Sequence, residues 1–555
     1  MTVREPETGG APPAPGAGPP PPASYAQERA WFASRLTHDP PTYCVVDEFP
    51  LHADIAPAVL EAALAQLTAR HEPLRTGLCV VDGQLTQDVR PRVELPVERL
   101  DLSGLGPAEQ AERSRALRAE LARRPFDLDR PPLWRAAVLM LGEGTWSVLL
   151  AAHHTVYDTA SRLNVHAELT EMCAAAEEGR DPELPRLPST YSRHARRERA
   201  RLTPARRSAL AAHWRARLAG LPPVHTLPLD RPRPPVRTFQ GAEVRAALPS
   251  GVLASLPAAA RHHGTRPVML LLTAYVALLH HRSGADDLVL GLPVAGRTEA
   301  ETLPMVGTLV NMRVLRVDAS GDPDVTALIG RVAAAVGADE TYDIPFQTLV
   351  ELLPAPRLPG VPPLYQLAFN HAPAGDLGAP VSSCEEDLLL DATDDTVRIV
   401  YDAALFDRAT AETLLSGYLR LLATALEAPH TRLSRLGALP GIRGAGAGAD
   451  AGTGTARQSG PAPPADGRHA ATAPRTAAER RVAAVWQDVL GIEVTDVHQD
   501  FFGLGGHSLQ ALRLLARLTA PHRAEVPLRT FFADPTVAGL ATALQHTCPG
   551  RTAWR

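Results

Sequence analysis

The stretch "GIRGAGAGADAGTGTARQSGPAPPADGRHAATAP", from Gly441 to Pro474, constrains this chain more than any other feature. It holds almost no large apolar side chain, so it has nothing to bury and reads as a flexible linker. It divides the 555 residues into an ordered part of about 420 and a tail of about 80. Residues 1–22 are Pro, Gly and Ala with equally little to bury, and read as a disordered, partly polyproline-II leader. At roughly 150 residues per domain the length suits three or four folding units, or one large enzyme with repeated lobes. In the large part, strand-like runs such as "LVLGLPV" (288–294) and "VRIVYDAAL" (397–405) alternate with helical patterns such as "PVMLLLTAYVALLHHR" (267–282). That mixture predicts an α/β (α+β) fold. The tail carries three amphipathic segments, the first with Val482, Val485, Trp486 and Val489 on one face and Gly491 as its stop, and so predicts a small helical bundle.

Charge and cysteine usage exclude several classes. With 56 basic and 61 acidic residues the net charge is -5, and no block of one sign announces nucleic acid or a membrane surface. The chain has no lysine; every base is arginine, which beside the Ala, Pro and Gly usage reads as coding bias. The five cysteines (Cys44, Cys79, Cys173, Cys384, Cys548) contain no CxxC pair and read as buried free thiols in a reducing compartment. No apolar run approaches the roughly 20 residues of a membrane helix, and the N-terminus lacks a signal-like apolar segment. The expectation is a soluble, cytoplasmic protein.

In "DFFGLGGHSLQALRLL" a glycine-rich loop delivers Ser508 to the start of a helix. Spacing alone allows an N-cap serine. A nucleophile elbow needs Gly-x-Ser-x-Gly, but Gln510 occupies the last position and about 80 residues do not house a hydrolase. Modification is the third reading: Gly505 and Gly506 clear space for a modifying enzyme, and the helix N-terminus favours a phosphodiester on Ser508. Asp500, Phe501, Phe502, Leu504, Gly505, Gly506, His507, Ser508 and Leu509 resemble the carrier-protein motif of nonribosomal peptide synthetases, and the likeness extends over the whole tail. It implies 4'-phosphopantetheine on Ser508.

The second motif is "SVLLAAHHTVYDTAS". Paired histidines alone are weak signals, since His262-His263 and His280-His281 also occur, the latter ending a helix where a charge partner to the C-terminus is the simpler role. His153-His154 instead leave a buried strand and precede a helix beginning near Asp158 to Ser161. A metal site needs a third ligand, and the nearest candidate, His166, lies mid-helix, so no metal is expected. A core histidine held by the aspartate is the structural alternative. The catalytic reading rests on amide formation: an amine attacks a thioester, its nitrogen loses a proton, and a tetrahedral oxyanion needs stabilising.

HHxxxD resembles the signature of the condensation domains of those same synthetases, and further segments follow in order. "SYAQERAWF" matches at Ser24, Ala26, Gln27, Arg29 and Trp31; "RHEPLRTGL" at Arg70, His71, Glu72, Leu74, Arg75 and Thr76; "VGTLVNMRVLR" at Gly307, Val310 and Asn311. "YDIPFQTLVELL" matches at Asp343, Pro345 and Phe346, and "PLYQLAFN" at Pro363, Leu364 and Gln366. The resemblance implies His154 as the catalytic histidine, a more structural His153, an architectural ion pair between Asp158 and Arg297 of "GLPVAGR", and Thr159 and Asn311 in the tunnel or its loop backbone. It also implies two chloramphenicol-acetyltransferase-like lobes in a V, divided near Pro185 to Ser192, with the active site in a tunnel between them. The expected boundaries are a leader at 1–22, the N-terminal lobe at 23–187, the C-terminal lobe at 188–440, the linker at 441–474, the peptidyl carrier domain at 475–546 and a tail at 547–555.

Three departures stand out. Thr159 replaces the usual Gly after the aspartate, and a left-handed backbone there costs a β-branched residue about 1–2 kcal/mol. "YSRHARRE" keeps Tyr191 but has Arg193 and His194 where an acidic and an aromatic residue are usual, and "RLPGVPPLYQ" keeps Arg357 and Pro363 but loses polar residues between. The leading expectation is an amide-forming condensation enzyme whose own carrier presents the acceptor. A degenerate recruiting platform, an ester-forming variant and an epimerase-like variant are the alternatives. With no room for an adenylation domain or a thioesterase, the expected partners are a separate donor carrier, a separate adenylation enzyme loading Ser508, a phosphopantetheinyl transferase and a downstream synthetase or thioesterase. A linker of about 34 residues spans roughly 30–35 Å, enough for a millimolar local concentration of the acceptor.

Overall fold

Two separated blocks of apolar strand sequence build two separate sheets. The computed structural model describes residues 19–436 and 472–547, apart from 38–42, 53–54, 143, 235–236, 339, 354–357, 359, 373–376, 378–380, 502–503, 505–507, 520–525, 527–529 and 532–533. Most of the leader and of the linker, Phe502, Gly505, Gly506, His507, Arg357, Cys548 and the 548–555 end of the tail lie outside the described residues.

The first lobe runs through α1 (Tyr25–Thr37), β1 (Cys44–His52), α2 (Pro57–Arg70), the hairpin β2 (Thr76–Val81) and β3 (Gln84–Val89), β4 (Val97–Asp101), α3 (Pro107–Arg123), β5 (Trp134–Gly142), β6 (Thr145–His153) and α4 (Thr159–Glu178). Its main sheet has the order β1-β6-β5-β4. β6 pairs antiparallel on both sides and is covered on both faces, which is why its sequence is a continuous apolar run. Val148, Leu150 and Ala152 join the core under α2 and α4, and Leu149 and Ala151 join Leu117 and Leu121 of α3. The period of two thus serves two cores at once.

The second lobe comprises α5 (Tyr191–Arg201), α6 (Pro204–Arg217), β7 (Gly241–Ala247), α7 (Ser250–His262), α8 (Pro267–Ser283), β8 (Asp287–Val294), β9 (Asn311–Asp318), α9 (Val325–Ala338), α10 (Phe346–Leu352), β10 (Leu367–His371), β11 (Leu388–Ala392), β12 (Thr396–Asp402), α11 (Arg408–Glu427) and α12 (Leu433–Leu436). The sheet is mixed, in the order β7-β12-β11-β10-β8-β9, with β10 parallel to both β8 and β11. Every residue of α8 from Met269 to Leu279 is buried, as a helix apolar all round must be. The expected strand 397–405 is shorter than its apolar run. The ladder ends at Asp402, whose carboxylate accepts the N–H of Ala404 at 2.9 Å and turns the chain.

The tail folds as a helical bundle. Thr476 and Glu479 form a capping box at the start of α13 (Ala477–Leu490), and Gly491 ends it with a left-handed backbone (φ 71°). α14 (Ser508–Thr519) and a last helix, Val537–Thr547, complete a core around Trp486, Phe501 and Phe531, whose rings meet edge to face at 4.8–6.0 Å. Phe32 of α1 packs against this core, so the bundle touches the first lobe. Cys173 and Cys384 are buried, but Cys44 and Cys79 are only partly so, because β1 and β2 lie at the edges of their sheets; all four are free thiols. Among the described residues no helix is long and apolar enough to cross a membrane.

Candidate active site

The HHxxxD loop is clamped at both ends. At the strand end, the N–H of His153 donates to the carbonyl of Leu133 (2.8 Å) and that of His154 to the carbonyl of Tyr43 (2.7 Å). At the helix start, Asp158 is the N-cap of α4, its Oδ1 accepting the N–H and the hydroxyl of Ser161, each at 2.8 Å. Between them the N–H of Val156 closes a turn on the carbonyl of His153 (3.0 Å).

The two histidines have different environments. His153 is buried and its Nδ1 accepts the N–H of Thr155 (3.2 Å) and meets that residue's hydroxyl at 2.8 Å. Burial, helped by the neighbouring His154 and by Arg35, pushes its pKa down to about 3, so this ring stays neutral. His154 retains accessible surface. Its Nδ1–H donates to the carbonyl of Tyr157 at 2.7 Å, which fixes the tautomer and leaves Nε2 as an unprotonated acceptor. Burial is the largest influence on His154 and lowers its pKa below the usual 6.5; the Tyr157 carbonyl opposes that shift and Arg29 adds to it.

Asp158 and Arg297 are brought together across 139 residues of sequence. Arg297 Nη1 donates to Asp158 Oδ2 (2.7 Å) and Nη2 to Oδ1 (2.8 Å), a two-pronged pair with side-chain exposures of 6% and 0%. The remaining capacity is filled from both lobes: the N–H of Leu309 donates to Asp158 Oδ2 (3.0 Å), and Arg297 also donates to the Ser161 hydroxyl of the first lobe and to the carbonyls of Met305 and Gly307 of the second (each 3.2 Å). Two glycines permit the approach. Gly296 has φ 66°, with the Leu309 carbonyl 2.0 Å from where a Cβ would stand, and Gly307 has φ 144° and lies against the ring of Tyr191.

Thr159 is the first residue of α4, exposed, and absent from the described non-glycine residues with positive φ. The left-handed backbone considered from the sequence is therefore not adopted, and the threonine carries no strain of that kind. Asn311 opens β9 and ties a corner of the second lobe: its Nδ2 donates to the carbonyl of Ile344 (2.8 Å) and to Asp343 (3.2 Å), and its Oδ1 accepts the N–H of Phe346 (3.1 Å). These bonds tie the start of β9 to the segment that leads into α10. Ser24 and Tyr191 meet at 2.7 Å, and Tyr191 donates to the carbonyl of Thr308. His194 packs near the Tyr191 ring, and His166 stacks on Phe49, away from any ligand cluster. No group of three metal-ligating side chains occurs among the described residues.

Sequence reasoning missed what lies opposite the histidines. Tyr43, whose carbonyl holds His154, donates its hydroxyl to Glu385, and its ring stacks on His153 at 6.2 Å between centroids. Glu385 and Glu386 come from the segment before β11, more than 340 positions away, and "CEED" in isolation resembles a solvated turn. At the far end of the chain, Ser508 is the first residue of the 12-residue α14. The opening N–H groups of a helix have no partner within it and suit a phosphodiester, so the position fits 4'-phosphopantetheine.

Residues 21–441 match the Condensation domain family, and residues 480–544 match the Phosphopantetheine attachment site family. Phosphinothricin tripeptide synthetase PhsC of Streptomyces viridochromogenes is 35% identical over 419 residues, 75% of this chain and 38% of that protein. Malpinin synthetase of Mortierella alpina is 31% identical over 422 residues, 73% of this chain and 5% of that protein. The chain thus spans well under half the length of these relatives. Among solved structures, SgcC5 of Streptomyces globisporus superposes with a TM-score of 0.65 at 25% identity (74% of this chain, 100% of that one). The X-domain solved with OxyB from teicoplanin biosynthesis gives 0.64 at 26% identity (76% and 97%). The fold is accordingly that of two chloramphenicol-acetyltransferase-like lobes with a carrier bundle attached, and the chain belongs to the condensation-domain family of nonribosomal peptide synthetases, joined to a domain for 4'-phosphopantetheine attachment.

Proposed function

We propose that this protein forms an amide bond, joining an acyl or peptidyl group that arrives as a thioester on a separate donor carrier to an aminoacyl group on its own carrier domain. The observation that carries this reading is the tautomer of His154: with Nδ1–H committed to the Tyr157 carbonyl, Nε2 is left free and accessible. A neutral imidazole can accept a hydrogen bond from the attacking amine, orient it and take its proton as the C–N bond forms. Because burial disfavours the imidazolium, positioning contributes alongside proton transfer. His153 is a packing group that fixes the strand end. Asp158 and Arg297 hold the loop in register, and Thr159 supplies only helical backbone.

In this reading residues 23–187 and 188–440 are the lobes, 441–474 is the tether and 475–546 is the acceptor carrier. Bound to Ser508, 4'-phosphopantetheine supplies the thiol that holds the aminoacyl group as a thioester. A phosphopantetheinyl transferase, an adenylation enzyme and a further synthetase or thioesterase complete the set of partners, in the cytoplasm. The second reading, a recruiting platform, draws support from the likeness to the X-domain solved with OxyB and from Arg193 and His194 in the fourth motif. To decide, Ser508 is loaded with an aminoacyl group, an acylated donor carrier is added, and both proteins are followed by intact mass. The acyl group moves onto this chain and the donor returns to free thiol. Product on the partner carrier reverses the direction, and no product favours the platform.

A further inference from the structure

The hydrogen bonding between β1 and β6 does not stop at their last paired residues, Cys44 and His153. One step beyond, the N–H of His154 donates to the carbonyl of Tyr43 at 2.7 Å, so Tyr43 places the backbone of the histidine whose Nε2 is free. Tyr43 is buried, and its ring stacks on His153. Its hydroxyl leaves the first lobe altogether and donates to Oε1 of Glu385, 342 positions away in the second. Glu385 stands on a fixed ledge. Arg237 donates to the carbonyls of Glu385 and Glu386, the N–H of Cys384 to the carbonyl of Phe239 (3.1 Å) and the N–H of Asp387 to the carbonyl of Gln366 (2.7 Å). The fully buried Asp387 carboxylate is met in turn by Arg233 (2.9 Å) and His225 (3.0 Å).

The HHxxxD loop is thereby tied to the second lobe at both ends. At the aspartate end Arg297 of the second lobe reaches Asp158; at the histidine end Tyr43 of the first lobe reaches Glu385. We propose that Tyr43 and Glu385 are positioning residues for the condensation reaction: their hydrogen bond fixes His154 against the second lobe, so that Nε2 meets the attacking amine. This rests on the condensation reading above. Neither side chain takes a proton from the substrates; both act through His154.

The two anchors of His154 differ in what they refer it to. The Tyr157 carbonyl sets which way the ring faces, but it belongs to the same loop and moves with it. The Tyr43–Glu385 bond instead refers the histidine to the opposite lobe. A misplacement of about 1 Å from a reactive geometry can cost about 10²-fold in rate, so a drift of a fraction of that, released by loss of one hydroxyl, should cost about tenfold. Burial raises the Glu385 carboxyl above its usual range, against the pull of Arg29. A carboxyl keeps an oxygen that can accept the Tyr43 hydroxyl in either protonation state, and an amide oxygen accepts as well. The site therefore needs the acceptor and not the charge.

The test is single-turnover condensation by the full-length holoprotein over a range of donor-carrier concentrations, with the urea midpoint of each protein measured alongside. The variants are Tyr43→Phe, Glu385→Ala, Glu385→Gln, the double variant Tyr43→Phe/Glu385→Ala, and Tyr43→Phe in a His154→Ala background. Tyr43→Phe keeps the ring and the backbone carbonyl and removes only the hydroxyl. It and Glu385→Ala each lose about tenfold in rate at saturating donor, with the half-saturating concentration and the urea midpoint unchanged. The double variant is no slower than either single one, and Glu385→Gln stays within about threefold of wild type. In the His154→Ala background Tyr43→Phe costs nothing further. A wild-type rate in Tyr43→Phe overturns the assignment, and so does an equal tenfold loss in the His154→Ala background, which is what a general effect on the fold would give. A wild type that makes no product overturns the condensation reading and this assignment with it.

Discussion

Replacing Asp158 by alanine should destabilise the protein by about 3–5 kcal/mol, with the upper end favoured. The carboxylate accepts five hydrogen bonds: two from Arg297, two from Ser161 and one from the N–H of Leu309. Its removal strands a guanidinium that is only 6% exposed, leaving it the Ser161 hydroxyl and the carbonyls of Ala295, Met305 and Gly307, and it also takes the carboxylate partner from the N–H of Leu309, while the N–H of Ser161 keeps the Asp158 backbone carbonyl. Arg297→Met is the milder change, about 2–3 kcal/mol, because Ser161 and Leu309 still satisfy the carboxylate. The double variant should cost at least about 2 kcal/mol less than the sum, since it leaves neither charge buried alone. Urea unfolding followed by tryptophan fluorescence measures all three, with Trp134 and Trp146 reporting on the lobe that carries the loop. A loss below about 1 kcal/mol for Asp158→Ala, or strict additivity, would refute the view that this pair locks the two lobes around the histidines.

Other consequences are cheaper to check. Incubation with a transferase and coenzyme A should add one phosphopantetheine mass to the wild type and none to Ser508→Ala; a modified variant would move the attachment elsewhere. Because His153 has a depressed pKa, its contribution to stability is complete above pH 6.5 and is lost as pH falls towards about 3. His153→Asn should therefore flatten the stability curve by up to about 1 kcal/mol per pH unit in that window, and an unchanged slope would contradict its neutral burial. Thr159→Gly should leave turnover within about twofold and stability within about 1 kcal/mol, since the backbone there is ordinary helix; a large gain in rate would show that the threonine is a defect.

What the sequence discloses follows the range of the forces involved. α8 is legible because eleven successive buried residues leave no alternative to a central helix, and α13 because its cap, apolar stripe and terminal glycine all lie within 16 positions. The overextension of "VRIVYDAAL" has a local cause too: past the turn Leu405 is buried in the core while Ala403 and Ala404 are partly covered, and periodicity cannot distinguish such a burial from a strand. The HHxxxD loop is visible as a pattern, but the tautomer of His154 depends on where the Tyr157 carbonyl turns, and that is set by three dimensions. Least visible is the pair Glu385 and Glu386, which acquires its setting only when the segment before β11 meets Tyr43 and Arg29 from the other end of the chain. The ordinary backbone at Thr159 likewise emerges only from the way Asp158 caps α4.

Single-turnover condensation by His154→Ala, with Ser508 loaded and a donor carrier supplied at saturating concentration, tests the central claim most directly. The account predicts a rate lower by roughly 10²-fold or more, with urea stability and carrier loading unchanged, while a packing change at His153 acts mainly through stability. Turnover at the wild-type rate in a folded His154→Ala protein would contradict it.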